Sequence, residues 1–133
     1  MSRERVRFLV FGNPMLRIDS MPIRLMPDLR KRFPQFEFVE FDPNENLERE
    51  GRTLEIIDSV EGIDKVTLIT DIDSIQPSPV VSMHDFDLGY SLRLLKKLKL
   101  IDSVRIFGVP MGMKKAEAFR QLSKIIAASG TLG

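Results

Sequence analysis

The chain has 133 residues, 43% of them hydrophobic and 29% charged, which is the size and balance of one globular domain with a single core. Its 20 basic and 19 acidic residues leave a net charge of +1, which argues against a partner held mainly by charge, nucleic acid included. There is no cysteine, so disulfides, zinc fingers, iron–sulfur clusters and thiol nucleophiles are excluded.

The opening Met1-Ser2-Arg3-Glu4-Arg5-Val6 is charged and lacks the basic, apolar, small order of a signal peptide. No apolar run reaches the roughly 18 residues that a membrane helix needs. The expectation is a soluble protein of the cytoplasm, with no membrane insertion.

Val6 to Phe11 reads as a strand, ended by the loop signal Gly12-Asn13-Pro14. A helix should start near Ser20, with Pro22 tolerated in its first turn and Arg30, Lys31 and Arg32 favoured by the dipole at its end. Pro27 inside it should kink or restart it. Phe36 to Phe41 alternates as a second strand, closed by Asp42-Pro43-Asn44. Arg52 to Val60 has Leu54, Ile57 and Val60 at helical spacing and reads as a helix. Lys65 to Thr70 has the continuous apolar middle of a central strand.

Pro77 to Val81 is a possible short fourth strand. It follows too soon after the third for a parallel crossover, which takes a dozen residues or more, so it is antiparallel or extended loop. Leu88, Leu92, Leu95 and Leu98 mark a helix that Asp85 or Asp87 can cap. Ser103 to Val109 is the last strand, stopped by Pro110, and Lys114 to Ala128 the last helix. Alternating strands and helices predict one α/β domain over residues 1–133 with a largely parallel sheet.

Several chemistries fall away. One histidine rules out a His-Glu-x-x-His zinc helix, and there is no Gly-x-Ser-x-Gly elbow, Gly-x-Gly-x-x-Gly turn or phosphate loop. Asp19, Asp42 and Asp71 fall where the carboxyl rim of an open α/β sheet is expected, and such sheets bind ligands there. Two carboxylates and His84 make an oxygen/nitrogen donor set for a borderline divalent metal, with positions left open for water or substrate. Each also has a plainer reading: Asp19 as a helix cap, Asp42 and Asp71 as turn residues, His84 as a structural histidine. Lys96, Lys97 and Lys99 read as the wet face of a helix.

The run Phe11-Gly12-Asn13-Pro14-Met15-Leu16-Arg17-Ile18-Asp19, the strand end Leu68-Ile69-Thr70-Asp71, Ser82-Met83-His84 before a leucine-rich helix, and Ile106-Phe107-Gly108-Val109-Pro110 come in an order that resembles the hydrogenase maturation endopeptidases. These proteases remove a C-terminal peptide from the large subunit of nickel–iron hydrogenases once nickel is inserted. The resemblance implies a three-layer α/β/α fold, phosphorylase/hydrolase-like, with a five-stranded, mostly parallel sheet and one antiparallel edge strand. It implies Asp19, Asp71 and His84 as metal ligands, Asp19 and Asp71 as catalytic acids, and Asn13 and Asp42 as substrate-binding residues. Nickel, supplied by the substrate, is the implied metal, and other divalent metals can substitute. The implied partner is a hydrogenase large-subunit precursor.

Departures from the family pattern mark a divergent branch. Ile18 stands at an acidic position, Arg17 and Ser20-Met21-Pro22 replace glycines, and Asp42-Pro43-Asn44 stands for Asp-Gly-Gly. The alternative is a non-cleaving module that binds nickel or the precursor; a third reading is a plain assembly domain whose acids are caps and turns.

Overall fold

The structure, a computed structural model, describes residues 6–11, 20–41, 47–70, 82–83, 92 and 94–129. Its elements are β1 (Arg7–Val10), α1 (Met21–Arg32), β2 (Glu37–Glu40), a short 3-10 turn (Leu47–Glu50), β3 (Thr53–Glu61), β4 (Thr67–Ile69), β5 (Ser82–Met83), β6 (Ser103–Pro110) and α2 (Lys115–Ala128). Residues 92 and 94–97 are helical as well. The sheet runs in the order β2-β1-β3-β6-β4, with β5 added against β3. β1, β2, β3 and β6 are mutually parallel, and β4 is the antiparallel edge, so the chain is an α/β fold of the expected kind.

Two apolar clusters sandwich the sheet. On one face Phe8, Val10, Phe38, Ile57, Phe107 and Val109 meet Leu25 and Leu29 of α1 and Ala118, Leu122 and Ile126 of α2. On the other, Leu9, Leu54, Ile56, Val104 and Ile106 meet Leu92. Helices therefore cover both faces, giving the three layers. α1 runs unbroken through Pro27. A mid-helix proline costs about 3 kcal/mol, but Met21, Leu25, Met26 and Leu29 are all buried, at roughly 1.5–3 kcal/mol each, so packing outweighs it.

Two element assignments are corrected. Arg52 to Val60 is not a helix: Thr53–Glu61 is the longest strand and the centre of the sheet, buried at every position but its ends. Leu54, Ile57 and Val60 imitate helical spacing because a strand covered on both faces has no polar side to reveal its period of two. Lys65 to Thr70 is a strand but not a central one: β4 is an edge strand antiparallel to β6. The antiparallel edge expected at 77–81 lies outside the described residues.

Candidate functional site

The four parallel strands put their carboxyl ends on one rim, and β3 reaches furthest along it. On one edge of β3 lies β1, which ends where the amide of Phe11 donates to the Ile57 carbonyl at 2.8 Å. Beyond that point the same edge is taken by β5, with Val60 opposite Met83 and Glu61 opposite Ser82. β6 holds the other edge throughout, from Thr53–Ser103 to Val60–Pro110. So the chain leaves toward Gly12, and arrives at Met83 just before His84, within three residues of each other along β3. Three strand residues span roughly 10 Å.

Asp58 sits between those two points. It is fully buried, on the face of Leu54 and Ile56, and its Oδ1 accepts a hydrogen bond from the Ser59 amide at 2.8 Å. Ser59 is also fully buried. β2 ends on the same rim, where the Phe41 amide donates to the Val10 carbonyl at 2.9 Å, one residue before Asp42. Ser20, which follows Asp19, begins α1, and α1 returns from this rim to the start of β2, where Arg30 donates to the Phe38 carbonyl at 2.8 Å.

Asn13, Asp19, Asp42, Asp71 and His84 themselves lie outside the described residues. The segments carrying Asn13, Asp19, Asp42 and His84 all join the described chain at the carboxyl rim. β4 runs the other way: Thr67 faces Gly108 and Ile69 faces Ile106, so it descends toward the opposite rim. Among the described residues no three histidine or acidic side chains group as metal ligands do.

Asp58 is the site candidate that the sequence reading passed over. Its signal was an acid inside a β-branched apolar run, Ile56-Ile57-Asp58-Ser59-Val60, where burying a carboxylate is costly and so usually serves a purpose. Among the described residues the other buried acid, Glu55, belongs to the architecture. It lies lower on β3, opposite Arg105 in register, and the two form a bidentate pair with bonds of 2.9 to 3.2 Å. Burial raises the Glu55 pKa above its ordinary value despite Arg105 beside it.

No family model matches the chain, and no curated protein does. The fold is similar to that of a crystal structure of an uncharacterized protein from Wolinella succinogenes, with a TM-score of 0.60 and 17% identity over 98% of this chain and 100% of that one. At that identity the likeness carries the fold alone.

Proposed function

We propose that this protein is an endopeptidase of nickel–iron hydrogenase maturation, removing the C-terminal peptide of the large-subunit precursor in the cytoplasm after nickel insertion. The observation that supports it is the convergence on one edge of β3. The Gly12-Asn13-Pro14 segment leaves there, the strand before His84 arrives there, and Asp58 lies between them.

In this reading the strand carboxylate is Asp58 rather than Asp71. The resemblance calls for an acid on the central strand, and the central strand is β3. Asp19, Asp58 and His84 are then the residues that engage the nickel carried by the precursor. Two carboxylates and an imidazole suit that borderline ion. Asn13 and Asp42, on segments leaving the same rim, are assigned to substrate binding. Nickel bound in the substrate polarises the nearby peptide carbonyl or activates a water, and without it the carboxylates repel one another and the precursor binds weakly.

The test is mass spectrometry of a nickel-loaded large-subunit precursor incubated with this protein. The reading expects loss of one C-terminal fragment, with nickel only and not with His84→Ala. A stable complex with an intact precursor would instead make the protein a non-cleaving binding module.

A further inference from the structure

Three large apolar side chains are exposed among the described residues, Leu94 at 42%, Leu98 at 58% and Leu100 at 42%, and all fall within one seven-residue stretch. Leu94 and Leu98 are one helical turn apart, the Leu98 amide donating to the Leu94 carbonyl at 2.9 Å, so they share a side. Lys96, Lys97 and Lys99 are exposed among them, and none has a carboxylate partner among the described residues.

The backbone holds this stretch in a fixed shape. The Lys99 amide donates to the Lys96 carbonyl at 3.0 Å and the Leu100 amide to the Leu95 carbonyl at 2.9 Å. That pattern ends a helix with a left-handed residue, usually glycine, yet here it is Lys99 with φ 63°. Arg52 Nη2 donates to the Lys99 carbonyl at 2.8 Å and pairs through two nitrogens with Asp102, each bond 2.9 Å. The cluster is thus anchored at the amino ends of β3 and β6.

We propose that Leu94, Leu98 and Leu100 with Lys96, Lys97 and Lys99 form a docking surface for an anionic lipid bilayer. The leucines enter the boundary of the acyl region, and the lysines extend along them to the headgroup phosphates. The composition selects this occupant. Lysine is depleted from protein–protein interfaces, leucine is under-represented at their energetic centres, and the patch has no aromatic anchor. A second copy brought face to face would set lysine against lysine. No helix among the described residues is long and apolar enough to cross a membrane, so this is surface attachment. The patch lies on the rim opposite Asp58, so docking leaves the carboxyl rim facing away from the lipid. The proposal is independent of the peptidase reading.

Cosedimentation tests it, using vesicles of phosphatidylcholine alone and of equimolar phosphatidylcholine and phosphatidylglycerol. The protein is expected on the anionic vesicles only, and less so as salt is raised. At about fivefold per lysine, Lys96→Glu/Lys97→Glu should lower the partition coefficient by at least about 25-fold. Leu94→Ser/Leu98→Ser should lower it comparably. All four side chains are exposed, and unchanged melting temperatures would confirm that the variants fold. Absence from anionic vesicles overturns the proposal, and so does binding that survives loss of both leucines. Capture of an acidic protein without vesicle binding overturns it in favour of a protein partner.

Discussion

Asp58 of β3 and Gly108 of β6 stand opposite each other in the sheet, and the missing side chain of Gly108 keeps β6 flush with β3 there. A Cβ at Gly108 would lie 2.8 Å from Val60 Cγ2, which belongs to a stiff, fully buried side chain. Glycine is required here for close approach between strands beside the candidate site.

Gly108→Ala should therefore destabilise the fold by about 1–3 kcal/mol, the usual cost of overpacking. Thermal unfolding measures it. Val60→Ala in the same chain relieves the clash, so the double variant should be less destabilised than the sum of the two single changes. Additive losses would show that the two side chains do not compete for one space.

Arg105 holds Glu55, whose side chain is only 10% exposed, so Arg105→Ala should cost about 3 kcal/mol, the lower end for breaking a buried pair. The pH dependence has a definite sign. Glu55 titrates higher folded than its ordinary 4.5, so the folded chain holds its proton more tightly. Its stabilising contribution is complete below 4.5 and is lost as pH rises through the raised value. Denaturant titrations at several pH values should show that fall, with the loss continuing to higher pH in Arg105→Ala. Glu55→Gln should remove it.

Glu117 behaves oppositely. Arg120 first, and Gln121 second, hold its carboxyl down to about 2 from 4.5. The contribution of these contacts is present above 4.5 and is lost as pH falls through about 2. Gln121 also accepts from the Val66 amide at 2.9 Å, so this network ties α2 to the chain entering β4. A carboxyl NMR titration should place Glu117 near 2 and move it back toward 4.5 in Arg120→Gln.

Lys99→Gly should raise stability by up to about 1 kcal/mol, because glycine adopts the left-handed conformation without the cost that an L side chain meets. Lys99→Ala keeps the strain and should give no such gain. Equal melting temperatures for the two variants would contradict this view of the turn.

Much of the fold was legible because its elements obey simple rules. Phe36 to Phe41 alternates, Pro22 and the basic run at 30–32 bracket α1, and Ala118, Leu122 and Ile126 repeat at helical spacing. β3 was illegible for a physical reason. The central strand of a doubly covered sheet is apolar on both faces, so the polar residues inside its ends, Glu55, Asp58 and Ser59, broke the run at intervals that a helix could also produce. That single misreading also bears on the proposed site. With β3 taken for a helix, the next apolar run became the central strand and Asp71 its terminal acid, whereas the proposed site uses Asp58 of β3. The direction of β4 depends on long-range pairing with β6 and has no local signature.

The most direct measurement is cleavage of the nickel-loaded large-subunit precursor, followed by mass spectrometry, with Asp58→Asn and Asp71→Asn compared at matched folded concentration. Asparagine keeps the size of aspartate and removes its charge, and circular dichroism verifies that both variants fold. The expected result is loss of the C-terminal fragment's release with Asp58→Asn and its retention with Asp71→Asn. Full cleavage by Asp58→Asn would contradict a site built around the carboxyl rim of β3.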